Sequence, residues 1–204
     1  MNILCIATRN AHKVQELAPV LAPYWTVKSS ADYPEMEQLE EIAETGDTFL
    51  ANATLKAVTT SQVVPDHVLA DDSGLECDAL NGAPGVFSAR YGGIPSSTER
   101  NNCRLLEELE RAGAVTPQQR AARFRCVLVL AKAGEVIASF DGKCEGTFGL
   151  GAKGTNGFGY DPLFVPQGYT RTFGQLSEKT KMTLSHRGLA LQQFLAWCKA
   201  NPVE

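Results

Sequence analysis

The chain has 204 residues, 44% of them hydrophobic and 21% charged, with a net charge of −4. That length supports a sizeable core, as one large domain or two closely packed lobes, in an ordinary soluble globular chain. The negative balance argues against general nucleic-acid binding, and no apolar run reaches the roughly 18 residues of a membrane span.

Asn2–Ala7 is short and apolar, the pattern of a buried strand. It lacks the basic start and long apolar core of a signal peptide, so a cytoplasmic location is expected. A helix follows, with Asn10 as N-cap and Val14, Leu17 and Leu21 on one face; Pro19 is expected to kink or shorten it. Trp25–Lys28 reads as a second strand and the acidic stretch Glu35–Gly46 as a loop. Thr48–Val63 reads as a helix whose buried stripe is Phe49, Leu50, Ala53, Ala57 and Val58. Val68–Ala70 is a strand running into an Asp71-Asp72-Ser73-Gly74 turn, and Asn81–Gly85 is another turn. Thr98–Ala112 reads as a helix with Cys103, Leu105, Leu106 and Leu109 toward the core. Phe124–Ala131 and Glu135–Phe140 form a hairpin about Lys132-Ala133-Gly134. Gly146–Gly159 holds six glycines and reads as a loop; Ser185–Ala200 is a closing helix capped by Ser185. Strands alternating with helices, plus one hairpin, predict an α/β fold with a mixed sheet.

Six widely spaced cysteines form no Cys-x-x-Cys pair, and three histidines are scattered; free thiols are expected, and a structural zinc site is not. Charge is unevenly spread. Residues 32–78 hold twelve acids and one base, Lys56, whereas residues 143–188 hold six bases and three acids. Solvated faces account for most such runs, but the same split would supply metal-binding carboxylates from one segment and phosphate-binding cations from the other.

Four places could carry chemistry. Thr8-Arg9-Asn10-Ala11-His12-Lys13 lies at a strand-to-helix junction, where free backbone N–H groups and the helix dipole favour anions. It is either a phosphate grip or a plain capped helix start. Asp71-Asp72 follows a strand end; one carboxylate could act as a base or hold Mg²⁺ with Glu44, and an Asp-rich turn is the alternative. Phe158 and Tyr160 offer rings for stacking a base, or belong to the core. Ser185-His186-Arg187 supplies donors, or only a cap.

Eight motifs occur in one order: Thr8-x-Asn10-x-x-Lys13, Glu44-Thr-Gly-x-Thr-Phe49, Asn52-Ala-x-x-Lys56-Ala57, Ala70-Asp-Asp-Ser-Gly-Leu75, Gly82-Ala-Pro-Gly85, Ser88-Ala-Arg-Tyr91, Gly157-Phe-Gly-Tyr-Asp-Pro162 and Ser185-His-Arg187. In these the chain resembles the inosine/xanthosine triphosphate pyrophosphatases, from Ile6 to about Phe194. The resemblance implies two lobes with a nucleotide cleft between them, a homodimer, a Mg²⁺ cofactor, and cleavage of non-standard purine triphosphates to monophosphate and pyrophosphate. It implies Asp72 as base and metal ligand, with Glu44 as the other ligand. Thr8, Arg9, Asn10, Ala11, His12 and Lys13 fall in the triphosphate grip, with Lys56 and Lys181 adding charge. Ser73 becomes a substrate contact, and Phe158, Gly159, Tyr160, Asp161, His186 and Arg187 the nucleobase pocket. Arg9, Ala43 and Ala51 depart from the family's usual Gly, acid and Glu. A septum-formation-type pyrophosphatase and a non-catalytic nucleotide sensor are the rival readings.

Overall fold

The computed structural model describes residues 2–8, 10–37 and 42–201. In chain order the elements are β1 (Ile3–Ala7), α1 (Ala11–Leu21), β2 (Thr26–Ser29), α2 (Phe49–Val63), β3 (His67–Cys77), β4 (Pro84–Gly85), α3 (Thr98–Arg111), β5 (Ala121–Lys132), β6 (Glu135–Phe148), β7 (Phe164–Pro166), α4 (Glu178–Leu184) and α5 (His186–Ala200). The strands run in the order β2-β1-β3-β5-β6-β7, with β4 on β3. Pairing is parallel for β1 with β2 and β3, and antiparallel for β3–β4 and β6–β7, so the expected α/β class with a mixed sheet and helices is what the chain adopts. The chain divides into two compact units: Met1–Asp72, Cys126–Asp141 and Ala190–Glu204 in the first, Ser73–Arg125 and Gly142–Leu189 in the second.

In the first unit, β1 is paired on both sides, with Ile6 opposite Ser29 and Leu69 and Ala7 opposite Ala70. A strand so placed reads as a continuous apolar run, and Leu4–Ala7 and Val68–Ala70 are all buried. Parallel pairing sets the C-terminal end of β1 beside Ala70 in the middle of β3, so Thr8 and the Asp71-Asp72 pair follow from neighbouring strands at the carboxyl end of β1, the kind of place where open α/β sheets bind ligands. The Asn10 side chain accepts the His12 N–H at 3.0 Å and so caps α1. Leu17 and Leu21 are buried; the helix continues through the exposed Pro19 and stops two residues later. Thr48 caps α2 by accepting the Ala51 N–H at 3.1 Å. Phe49, Ala53 and Ala57 line its buried face, but Leu50 lies one position off that row and is 49% exposed.

His67 begins β3, buried with its ring 5.4 Å from that of Trp25. Burial, followed by the charge of Lys132, holds its pKa below the ordinary histidine value, while Asp66 opposes the shift weakly. The unfolded chain therefore binds this proton first, and stability should decline as pH falls below about 6.5. Melting temperatures at pH 7.5 and 5.5 test this: wild type should lose more than His67→Gln, and equal losses would remove His67 from the account.

The second unit has its own core, built from Leu75, Leu105, Leu109, Phe124, Phe148, Tyr160, Phe164 and Phe173 among others. Leu106 packs against it, but Cys103 is exposed. All six cysteines are thiols outside any disulfide, as expected, and burial pushes those of Cys5, Cys77 and Cys144 up to about 12, which makes them poor nucleophiles.

Three expectations need correction. Asp71–Gly74 is no turn: β3 runs straight through it to Cys77, because partly buried lysine partners satisfy both carboxylates and β pairing overrides turn propensity. The hairpin is longer than expected, and its loop is the pair Ala133-Gly134, both at positive φ, as a two-residue turn of type I′ requires. Gly146 belongs to β6, opposite Pro166, so the glycine-rich loop starts after Phe148. One short helix, α4, went unpredicted; it has seven residues, too few to show a period.

Candidate active site

The first unit gathers three acids and two lysines. Lys56, on α2, points its Nζ at Glu44 Oε1 (2.6 Å), Asp72 Oδ1 (2.9 Å) and the Asp71 carbonyl oxygen (2.9 Å). Lys13, in the first turn of α1, pairs with Asp71 Oδ1 at 2.5 Å and donates to the same carbonyl at 3.2 Å. The alternation of β3 separates the two aspartates, as the side-chain period of a strand dictates. Asp71 is sealed inside, also accepting from Cys126 Sγ at 3.3 Å, whereas Asp72 shares a lysine with Glu44.

Electrostatics divide their roles further. Burial pushes the Asp72 carboxyl above its usual value, against the pull of Lys56, with the Glu44 charge adding to the rise. A more basic carboxylate is a better proton acceptor. Burial opposes the Lys56 ammonium, yet Asp72 and Glu44 together hold its pKa above the ordinary lysine value. Asp71 was expected only as half of a pair; it is the anchor of Lys13. Asn52 is a second residue that sequence reasoning left without a role. Its Oδ1 accepts the Gly46 N–H at 2.8 Å, tying the Glu44 segment to α2 one turn before Lys56. The four-residue spacing from Asn52 to Lys56 was the available signal.

Thr8 sits at the end of β1, where its Oγ1 accepts the Asn10 N–H at 3.1 Å; Ala11 and His12 are exposed on the first turn of α1. Arg9 and the acids Glu40 and Glu41 lie outside the described residues.

The residues fit a divalent cation of the hard, oxygen-loving kind. Glu44 and Asp72 present carboxylate oxygens that converge on one positive centre, the Lys56 ammonium. Among the described residues no group of three or more His, Cys, Asp or Glu could hold a metal alone. Two carboxylates completed by phosphates and water are what Mg²⁺ accepts.

The second unit gathers the remaining candidates. Lys181 Nζ pairs with Asp161 Oδ2 at 2.7 Å, and the same oxygen accepts the Phe158 N–H at 2.7 Å. Gly157 allows this closure: its φ is +72°, and a Cβ there would stand 2.0 Å from Asp161 Oδ2. Lys181 and Arg187 both face the Phe158 ring, at 4.8 and 5.7 Å from its centroid. Arg187 is buried and donates to Ser73 Oγ at 2.9 Å. His186 stacks on Phe124, 4.7 Å between centroids and 13° between planes. Gly188 lets α5 start against α4, since a Cβ would stand 1.8 Å from the Met182 carbonyl oxygen. Ser185 Oγ accepts the Gly188 N–H at 3.1 Å, the expected cap.

Phe158 and Tyr160 part company here. Phe158 is half-buried beneath two cations, while Tyr160 is core, its hydroxyl donating to the Ser88 carbonyl at 2.8 Å. Gly159 between them offers its carbonyl to Asn102 Nδ2 at 3.2 Å, so α3 holds the loop. The structure thus assembles an acid–lysine cluster and an aromatic–cation cluster, one in each unit.

Comparison with known proteins adds lineage to this chemistry. Residues 4–197 match the Ham1 family. A relative from Exiguobacterium, named dITP/XTP pyrophosphatase, is 46% identical over 194 residues, 95% of this chain and 95% of its own length. Another of that name, from Desulforamulus reducens, is 44% identical over 193 residues, 94% and 93% of the two chains. The solved Ham1 protein of Staphylococcus aureus has a TM-score of 0.85 at 36% identity, covering 97% of this chain and 98% of its own. No helix of the described residues is long and apolar enough to cross a membrane. With sequence and fold matched over nearly their whole length, the chain belongs to the Ham1 family.

Proposed function

We propose that this chain hydrolyses non-canonical purine nucleoside triphosphates, of the inosine, deoxyinosine and xanthosine type, to the monophosphate and pyrophosphate. Such a reaction keeps deaminated purines out of DNA and RNA. The observation that carries the reading is the convergence of Glu44 and Asp72 on Lys56 beside Lys13. That arrangement pairs a buried base with cations suited to phosphate oxygens; the relatives' names supply the substrate class.

In this reading Asp72 holds a water and takes its proton as the oxygen attacks the α-phosphorus. The α–β anhydride bond breaks and its electron pair leaves with pyrophosphate. Lys13 and Lys56 exchange carboxylate and carbonyl partners for phosphate oxygens and offset the charge that builds on the leaving group. The Thr8 hydroxyl and the Asn10 side-chain amide at the start of α1 add neutral donors. Mg²⁺ held by Glu44, Asp72 and the phosphates would polarise the phosphoryl oxygens. The base is assigned to the second unit, where Phe158 gives a face for stacking and Arg187 and Lys181 give donors. A homodimer and a cytoplasmic setting complete the reading.

Pyrophosphate release from inosine, xanthosine, adenosine and guanosine triphosphates, with Mg²⁺ and then with chelator, is the test. Strong release from the first two, abolished by chelator, is expected. Orthophosphate as the only product would place the attack on a different phosphorus and sink the reading.

A further inference from the structure

We infer that Lys56 is an internal counter-ion that competes with a divalent cation for Glu44 and Asp72, so that cation binding is weak until a triphosphate draws the ammonium away. This deepens the proposed function and rests on it only for the identity of the anion. The geometry is specific. One Nζ lies 2.6 Å from Glu44 Oε1 and 2.9 Å from Asp72 Oδ1, with the Lys56 side chain only 14% exposed. A cation held by those two carboxylates would meet a unit positive charge close at hand, in a site partly screened from water.

Displacement has a route. The third acceptor of Lys56 is the Asp71 carbonyl, a neutral group that Lys13 also uses. A phosphate oxygen is a charged and therefore stronger acceptor. The lysine stem is flexible enough to swing to it without moving α2. Glu44 need not follow, because Asn52 on the same helix holds Gly46 by its N–H. The carboxylates would stay in place while their ammonium leaves, and the cation would take its seat together with the phosphates. Lys56 thus couples cation binding to nucleotide binding, and by linkage the coupling is reciprocal.

The test measures Mn²⁺ binding to the full chain by calorimetry or electron paramagnetic resonance, without nucleotide. Lys56→Met and Lys56→Gln, each checked for folding by circular dichroism, should bind Mn²⁺ more tightly than wild type by about tenfold or more. A non-hydrolysable α,β-methylene inosine triphosphate, with correction for Mn²⁺ held by the free analogue, should tighten Mn²⁺ binding more in wild type than in either variant. Unchanged or weaker Mn²⁺ affinity in both folded variants overturns the inference, since Lys56 would then organise the carboxylates rather than compete for them. Absence of pyrophosphate release from wild type would remove the proposed function instead, and the Mn²⁺ comparison would still decide the role of Lys56.

Discussion

Replacing Asp72 by Asn is expected to lower kcat by about 10²–10⁴-fold while changing nucleotide affinity by far less. The substitution keeps shape and one acceptor oxygen but removes the proton acceptor. Lys56 keeps Glu44 and the Asp71 carbonyl as partners, so the cation that would meet the phosphates stays in place. Asp71→Asn makes the contrast. Asp71 is fully enclosed and bonded to Lys13 and Cys126, and neutralising it strands a partly buried ammonium. Breaking such a pair costs about 3–5 kcal/mol, so that variant should show its loss first in thermal stability and in nucleotide binding through Lys13. Steady-state kinetics with direct binding to a non-hydrolysable analogue separates the two aspartates. Near-normal turnover in Asp72→Asn would mean that the base is another group.

Much of this site could be read before the fold was known, and the physical reason is local. Thr8–Lys13 sits where a strand meets a helix; Thr8 accepts the Asn10 N–H and Asn10 caps the helix by accepting the His12 N–H, each bond spanning two residues. Gly157-x-x-x-Asp161 is likewise a short closure, with a glycine needed because the carboxylate fills the space of a Cβ. What stayed hidden depends on contacts distant in sequence. Lys13 and Asp71 are 58 residues apart, and nothing in their spacing pairs them. The run Asp-Asp-Ser-Gly has the composition of a turn; it is strand because it continues β3, which neighbours β5 in the sheet, and because lysines distant in sequence pair with both carboxylates. Tyr160 shows the same limit: two aromatics of one loop, separated by Gly159, go to core and to site, and a hydroxyl bond to Ser88, 72 residues away, decides which.

Replacing Arg187 by Ala is expected to narrow the preference for inosine over adenosine triphosphate by roughly 5- to 150-fold, the equivalent of about 1–3 kcal/mol for one buried donor. A 6-oxo purine offers an acceptor where adenine offers an N–H donor. Arg187 is buried, donates to Ser73 and faces the Phe158 ring, so its guanidinium lies beside the ring on which a base would stack. An oxo group satisfies such a donor, whereas an amino group leaves it desolvated and unpaired. Removing a large buried side chain will also cost stability through lost packing. The measurement is therefore the ratio of kcat/KM for the two nucleotides within one preparation, from which the folded fraction cancels. Arg187→Lys should recover part of the ratio, because a charge on a flexible stem restores a donor but not the planar fork. If the ratio is unchanged in both variants, discrimination at position 6 belongs to other donors around Phe158, of which the backbone N–H groups of the 157–161 loop and Lys181 are next in line.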